Sequence, residues 1–226
     1  MQIVCLDLEG VLAPEIWIEV SRRTAIPELA RTTRDEPDYD KLMRGRIELL
    51  ARHNLRLGDI QGLIAHMRPL EGAREFLDEL RAQTQVVILS DTYYEFAAPL
   101  MRQLGYPTLF CHELVVDEAG RVRDYRLRLP DQKRAAVAAF RALKFHTIAA
   151  GDSYNDTTML AEAHAGILFR PPQSVAAQFP QYRVANTYDQ LGDEIDYASR
   201  ARWNAPSLAE EQEPGGAPGS EDPERV

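Results

Sequence analysis

The amino-acid sequence predicts an α/β fold, a doubly wound parallel sheet with a small helical segment inserted after the first strand. Short apolar, β-branched runs alternate with stretches whose apolar residues recur at helical spacing, which is typical of parallel sheets covered by helices. Acidic residues follow two of these runs, at the position where such sheets bind ligands. By contrast, residues 13–69 contain only helical patterns.

The predicted core alternates strand and helix along the chain. Strands are expected at 2–7, 85–90, 146–150 and 165–169, and helices at 71–83 and 92–104. Between Leu109 and Arg128, two alternating runs flank residues 117–120, whose Asp and Gly favour a tight turn. We therefore expect a hairpin there, at one edge of the sheet. The core would comprise residues 1–12 and 70–203.

The insert and the C-terminal end differ from this core. Apolar residues at helical spacing predict helices around 16–20, 42–50 and 60–64, which we interpret as a small cap over the site. Their apolar faces could pack on the core or on a second chain, so a homodimer stays open. Residues 204–226 are rich in Pro, Gly and Glu and are predicted to be disordered. They hold six acids and one arginine, about half of the net charge of -9.

Composition narrows the class of protein. A chain of 226 residues with 45% hydrophobic content can bury a sizeable core. Negative net charge without a basic stripe argues against nucleic acid as the main partner. We find no signal peptide and no transmembrane run, and Cys5 and Cys111 make no metal or disulfide pattern. These features predict a cytoplasmic protein with reduced thiols.

Asp7 and Glu9 directly follow the first apolar run. Residues two apart in an extended chain point the same way, so the two carboxylates could share a site. Buried like charges are costly unless a metal, a proton or a cationic ligand compensates them. The alternative is that Asp7 merely caps the next turn.

A second acidic group follows the run at 146–150. Gly151 suits a tight strand-to-helix turn, Asp152 falls at the strand end, and Asn155 and Asp156 fall near the start of a helix. If both strands lie in one parallel sheet, these acids converge with Asp7 and Glu9, and such an oxygen-only cluster suits Mg2+. Helix capping by Asp152 or Asn155 is the simpler alternative.

Two further segments complete the set. Ser90-Asp91-Thr92 lies where the run at 85–90 ends and the helix expected from 92 begins. A hydroxyl and free backbone N–H groups at a helix N-terminus could bind an anion. The alternative is a simple N-cap. Lys133 opens another helix, where a cation opposes the macrodipole. Such a lysine usually reaches into solvent, unless a carboxylate or a phosphate holds it.

Taken in order, Asp7-x-Glu9, Ser90, Lys133 and Gly151-Asp152-x-x-Asn155-Asp156 resemble the four motifs of the haloacid-dehalogenase-like phosphohydrolases. The resemblance covers roughly residues 1–200. It is strongest to the phosphoserine phosphatases, and among them to the phosphoserine–homoserine phosphotransferase type, which carries Glu at the second acidic position. Relatives commonly have Thr or Ser where this chain has Gly10.

This resemblance implies a chemistry for the strand-end residues. Asp7 would attack phosphorus and form an aspartyl-phosphate, while Glu9 would act first as acid and then as base. Mg2+ would be held by Asp7, Asp152 and the backbone carbonyl of Glu9. Ser90 and Lys133 would hold the phosphoryl oxygens, and Lys133 would also screen Asp7. From outside the metal's ligand set, Asp156 would orient water or Lys133.

The resemblance also maps substrate contacts onto the insert. Glu15 would pair with an ammonium group and Arg46 with a carboxylate, which Arg can bind bidentately. Without the resemblance, Arg46 would be an exposed helix charge among several others. Asp91 and Asn155 are the remaining expected substrate contacts. The five histidines and Trp17 suggest no site by themselves.

Other functions fit the same residues. A dehalogenase would use Asp7 on carbon and would need neither Mg2+ nor an acid at Glu9. A phosphatase could act on another small phosphomonoester, and a phosphotransferase would pass the phosphoryl group to homoserine rather than to water. A non-catalytic regulatory module would use the acidic cluster only to bind a metal.

Overall fold

A computed structural model describes residues 1–32, 35–36 and 38–203, and within them the chain folds around one seven-stranded sheet. The strand order is β4-β3-β2-β1-β5-β6-β7, and only β3 and β4 pair antiparallel. The strands are β1 (Gln2–Leu6), β2 (Gln85–Tyr93), β3 (Leu109–Val116), β4 (Val122–Arg126), β5 (His146–Gly151), β6 (Ala165–Phe169) and β7 (Arg183–Ala185). The predicted fold class is confirmed.

Nine α-helices accompany this sheet in the described residues. They are α1 (Ile16–Thr24), α2 (Tyr39–Arg52), α3 (Leu57–Ala65), α4 (Ala73–Gln83), α5 (Tyr94–Gln103), α6 (Gln132–Ala142), α7 (Thr157–Glu162), α8 (Gln173–Gln178) and α9 (Tyr188–Trp203). Short 3-10 turns occupy Pro27–Ala30 and Tyr154–Asp156. In this part of the chain, no helix combines the length and the apolar composition needed to cross a bilayer.

The central strand β1 divides the hydrophobic core in two because alternate side chains of a strand point to opposite faces. Val4 and Leu6 lie in a core that includes side chains of α4, α5 and α9. Ile3 and Cys5 lie in a second core with side chains of α6, α7 and α8. Helices therefore cover both faces, which leaves the ends of the strands as the accessible edge of the sheet.

The hairpin predicted between Leu109 and Arg128 is confirmed as β3 and β4. Its turn is closed by the N–H of Gly120, which donates to the carbonyl of Asp117 at 2.9 Å, and Gly120 has φ +76. The hairpin forms one edge of the sheet, as expected.

The helix predicted at 92–104 begins later than expected. The strand β2 continues to Tyr93, which pairs with His112 of β3 after a register shift. The Tyr93 ring is buried and packs edge-on against Phe96 at 6.0 Å between centroids. Burying this ring favours the extended conformation over an earlier helix start.

The three helices predicted in the insert correspond to α1, α2 and α3. The chain enters and leaves this region at adjacent points, because the N–H of Leu70 donates to the carbonyl of Leu12 at 3.0 Å. The division into a core and a cap at 13–69 stays a prediction. Residues 204–226, predicted to be a disordered tail, lie outside the described residues.

Candidate active site

Three strand ends meet at one edge of the sheet, beside a cavity of about 250 Å³. Asp7 directly follows β1, Ser90 lies in the last part of β2, and Asp152 directly follows β5. The register aligns the ends of these three neighbouring strands. The expected convergence of separate segments is therefore present.

A buried lysine joins two of the carboxylates. The Nζ of Lys133 donates hydrogen bonds of 2.8 Å to Oδ1 of Asp7 and to Oδ1 of Asp156. All three residues are buried. Lys133 thus does not reach into solvent, because two carboxylates replace water as its partners.

Two glycines make room for this arrangement. A Cβ on Gly151 would lie 2.3 Å from Cγ of Asp156, so this glycine serves a close approach, in addition to the turn that the sequence suggested. A Cβ on Gly10, which has φ +81, would lie 2.4 Å from Cγ of Asp152. A residue larger than glycine at position 10 or 151 would fill the space that the neighbouring carboxylate occupies.

The acidic cluster has the composition of a cation site. One carboxylate oxygen from each of Asp7, Asp152 and Asp156 lies within 4.8 Å of the others. Asp156 is already engaged by Lys133 and, through Oδ2, by the N–H groups of Asp152 and Ser153 at 3.0 and 3.1 Å. Asp7 and Asp152 are therefore the better ligands for an ion.

The electrostatics of the cluster agree with this assignment. Burial and then the charge of Asp156 raise the pKa of Asp7 well above its ordinary value, although Lys133 opposes the shift. Burial and the charge of Asp156 also raise the pKa of Asp152 to about 7. The site holds more negative charge than Lys133 balances, and a hard divalent cation bound by oxygen ligands would relieve that excess.

Glu9 is held by the first helix of the insert. Its Oε2 accepts the N–H of Ile16, the first residue of α1, at 2.8 Å. Burial, followed by the charge of Glu15, raises the pKa of Glu9 to about 8. A carboxyl group with this pKa is protonated at neutral pH and can donate a proton into the cavity that it lines.

Ser90 is buried, but it does not sit at a helix N-terminus as predicted. Because β2 continues to Tyr93, the Oγ of Ser90 accepts the N–H of Thr92 at 3.3 Å. The carbonyl of Ser90 accepts a 2.6 Å hydrogen bond from Nε2 of Gln132, the neighbour of Lys133. An anion site built from free N–H groups of α5 is therefore wrong for this position.

Asp91 lies between Lys133 and a buried histidine. Its carboxylate is 3.7 Å from Nζ of Lys133 and 3.6 Å from Nε2 of His112. The Nδ1 of His112 accepts the N–H of Arg128 at 3.1 Å, so the ring proton is on Nε2 and faces Asp91. Burial alone would raise the pKa of Asp91, but Lys133 and His112 outweigh it and lower the pKa to about 2.

Arg46 of α2 lines the cavity from the side of the insert. It is 7% exposed, which rules out the exposed helix charge that we considered. Its guanidinium lies 4.6 Å from the ring centroid of Trp17, and Nη2 donates to the carbonyl of Arg31 at 2.6 Å. Its buried Nε has no hydrogen-bond partner among the described residues, which favours a ligand there.

The other expected contacts and several unexpected ones complete the lining. Glu15 and Asn155 are exposed side chains that line the same cavity. Trp17, Tyr39 and Thr92 also line it and were not predicted as site residues. The available signal was that Tyr39 lies seven residues before Arg46, which places both on one face of a helix.

Carboxylates around a buried lysine at the ligand-binding edge of a doubly wound sheet make this chain an α/β protein with an acidic candidate active site. It belongs to the haloacid dehalogenase-like hydrolases, whose family model matches residues 1–164.

Individual relatives are close in sequence. The chain is 59% identical to phosphoserine phosphatase ThrH of Pseudomonas aeruginosa over 199 aligned residues. The alignment covers 88% of this chain and 97% of that protein. It is 58% identical to a phosphoserine phosphatase of Pseudomonas syringae, over 88% of this chain and 84% of that protein.

Solved structures agree at the level of fold. A phosphoserine phosphatase from T. onnurineus matches with a TM-score of 0.66 and 24% identity, over 86% of this chain and 94% of that chain. A substrate-bound phosphoserine phosphatase complex matches with a TM-score of 0.69 and 19% identity, over 87% of this chain and 97% of that chain.

Proposed function

We propose that this chain is a Mg2+-dependent phosphoserine phosphatase that works through an aspartyl-phosphate on Asp7. The observation that carries the proposal is the hydrogen bond between Asp7 and Lys133, which lies beside the carboxylate of Asp152. These residues line the same cavity as Arg46 of the insert. The two bacterial relatives above 55% identity are both named phosphoserine phosphatases. We also propose that residues 13–69 act as a cap on a core of 1–12 and 70–203.

The carboxylates of Asp7 and Asp152, with the backbone carbonyl of Glu9, would hold Mg2+. The surplus negative charge around these oxygens supports that assignment, and Asp156 would keep Lys133 and the loop at 152–153 in place. When bound, Mg2+ would neutralise phosphate charge that otherwise repels a carboxylate nucleophile.

The first half-reaction transfers the phosphoryl group to the protein. A carboxylate oxygen of Asp7 forms a bond to phosphorus while the bond from phosphorus to the serine oxygen breaks. Glu9 gives its proton to the departing alkoxide, which its raised pKa permits at neutral pH. Lys133 and Ser90 hold the non-transferred oxygens of the phosphoryl group.

The second half-reaction restores the enzyme. Water attacks phosphorus, Glu9 takes a proton from it, and the bond from phosphorus to Asp7 breaks. Glu9 is thereby protonated again, and Asp7 is again a free carboxylate that accepts a hydrogen bond from Lys133. Phosphate and serine are the products.

Substrate choice would depend on the rim of the cavity. Glu15 pairs with the ammonium group, and Arg46 binds the carboxylate with the Nε–H that has no partner among the described residues. Asn155 and Asp91 contact the substrate near the phosphate. Cys5 and Cys111 are both free and buried, which supports the cytoplasmic location predicted from the sequence.

Phosphate release from phosphoserine tests the proposal directly. We expect turnover with Mg2+, loss of turnover with EDTA and recovery when Mg2+ is restored. Activity that survives EDTA and acts on haloacids would favour the dehalogenase alternative. No turnover of phosphoserine or of p-nitrophenyl phosphate would favour the regulatory module.

The same assay separates the remaining alternatives. A panel of small phosphomonoesters shows whether another ester is preferred to phosphoserine. Adding homoserine and measuring phosphohomoserine shows whether the phosphoryl group passes to that alcohol. Partition between water and homoserine depends on how well the cavity excludes water.

A further inference from the structure

Two tyrosine hydroxyls meet at the wall of the cavity. The hydroxyls of Tyr39, in the first turn of α2, and Tyr93, at the end of β2, are 2.8 Å apart. Tyr39 lines the cavity together with Asp91, Arg46 and Glu9, and burial, more than these charges, raises the pKa of its phenol to about 12. The Tyr39 side chain therefore shares the cavity with charged groups of the site.

Burial decides the direction of this hydrogen bond. Tyr93 is 1% exposed, and Tyr39 is the only hydrogen-bond partner of its hydroxyl within the described part of the chain. A buried hydroxyl that cannot donate is costly, so Tyr93 donates and Tyr39 accepts. The proton of Tyr39 is then free for an acceptor in the cavity.

Arg46, which lines the same cavity, is the candidate to share that acceptor. It follows Tyr39 by seven residues, two turns along the same face of α2. After burial, Tyr39 is the strongest influence on the pKa of the Arg46 guanidinium. Tyr39 and Arg46 are thus two side chains of one helix that line one cavity, and Nε of Arg46 has no hydrogen-bond partner among the described residues.

We propose that Tyr39 is a specificity-determining residue that donates a hydrogen bond to the substrate carboxylate bound by Arg46. Tyr93 orients that donor by filling the acceptor position of the Tyr39 oxygen. The inference rests on the proposed function, because it assumes a phosphomonoester that carries a carboxylate.

The test is Tyr39→Phe, assayed with phosphoserine and with phosphoethanolamine, which keeps the phosphate and the ammonium but lacks the carboxylate. We expect the KM for phosphoserine to rise about 10-fold, as for the loss of one hydrogen bond to a charged group, with kcat within about 2-fold. Kinetics with phosphoethanolamine should not change.

Tyr125→Phe is the matched control. Its hydroxyl also ties α2 to the sheet, by donating to Oδ1 of Asp40 at 2.8 Å, but Tyr125 does not line the cavity. We expect an unchanged KM for phosphoserine. If Tyr125→Phe raises that KM as much as Tyr39→Phe does, then docking of α2 explains the effect and the inference is wrong.

A double variant protects the test against misfolding. Tyr39→Phe leaves the Tyr93 hydroxyl without an acceptor, whereas Tyr39→Phe with Tyr93→Phe removes both polar groups and should restore the unfolding temperature. The double variant should show the same substrate-selective rise in KM.

Other results would also overturn the inference. Equal losses on both substrates would place the Tyr39 hydrogen bond on the phosphate, and an unchanged KM would leave it without a role. If the wild-type protein with Mg2+ turned over other phosphomonoesters but not phosphoserine, the proposed function would fail, and this inference with it. Wild-type activity on phosphoserine together with a silent Tyr39→Phe would overturn the inference alone.

Discussion

Asp7 and Lys133 form what we call the floor of the cavity, and Arg46 lies on its insert side. The two regions differ in how fully their charged groups are hydrogen-bonded within the protein. On the floor, Asp7 and Asp156 share Lys133 in two short, buried hydrogen bonds, so each of these charged groups has a partner inside the protein. On the insert side, Arg46 is held by a carbonyl and a ring, yet keeps a buried Nε without a partner among the described residues. Charged groups that are hydrogen-bonded to one another hold the reacting atoms in place, whereas an uncommitted donor is suited to recognising a ligand.

The largest expected effect concerns the floor. Asp7→Asn removes the nucleophile, so kcat should fall by more than about 10,000-fold for every phosphomonoester. Phosphate release measures the loss, and a circular dichroism spectrum like that of the wild type serves as the fold control. Near-normal hydrolysis by this variant would mean that another residue attacks phosphorus.

Glu9→Gln should cause the next largest loss. An amide keeps the size of Glu9 but cannot donate the proton, so turnover of phosphoserine should fall about 100- to 10,000-fold. With p-nitrophenyl phosphate, whose leaving group needs little protonation, the loss in the first half-reaction should be smaller. If the single-turnover burst falls by a similar factor with both substrates, then Glu9 is not the acid of the first half-reaction.

Arg46→Lys should separate the insert side from the floor. Lysine keeps the charge but loses the planar fork, so the KM for phosphoserine should rise about 10-fold while p-nitrophenyl phosphate is spared. Arg44→Lys is the control, since Arg44 is exposed on the same helix and pairs with Asp40. Equal losses on both substrates would indicate misfolding of α2 rather than lost recognition.

The smallest effect is expected on the outer surface of α1. Arg22 and then Arg23 hydrogen-bond the Glu19 carboxylate and lower its pKa to about 2, against the opposing effect of burial. The contribution of the ionised Glu19 to the free energy of unfolding is therefore full above about pH 4.5, the ordinary pKa of this group in the unfolded chain. That contribution is lost as the pH falls through about 2. Glu19→Gln should cost less than about 1 kcal/mol at pH 7 and still less at pH 3, as measured by urea unfolding. An equal cost at both pH values would contradict this linkage.

Local pattern was enough to predict the strand-end residues. Asp7 and Asp152 follow apolar runs, and parallel strands bring such ends to one edge, so their convergence did not depend on side-chain detail. The surroundings of Ser90 were predicted less well. A polar stretch before a helical pattern resembles a helix start, whereas the structure continues it as a strand that pairs with β3 and buries the Tyr93 ring.

The insert side was harder to predict than the floor. Arg46 is one of several arginines in the insert, and its sequence neighbours do not show that Trp17 and the carbonyl of Arg31 bury it. The resemblance to the phosphatases singled it out, whereas Tyr39 had no such signal. Its partner Tyr93 is 54 residues away, and no periodicity links residues at that separation.

By itself, the sequence determined the fold class and the placement of acids at the ends of β1 and β5, because apolar periodicity and strand ends are local properties of the chain. Only the tertiary structure decided the charge environment. Lys133 is buried between Asp7 and Asp156, and Gly151 admits the Asp156 side chain, because segments distant in sequence pack within a few ångströms of one another. Hydrogen-bond partners and pKa shifts arise from those distances, which no local pattern encodes.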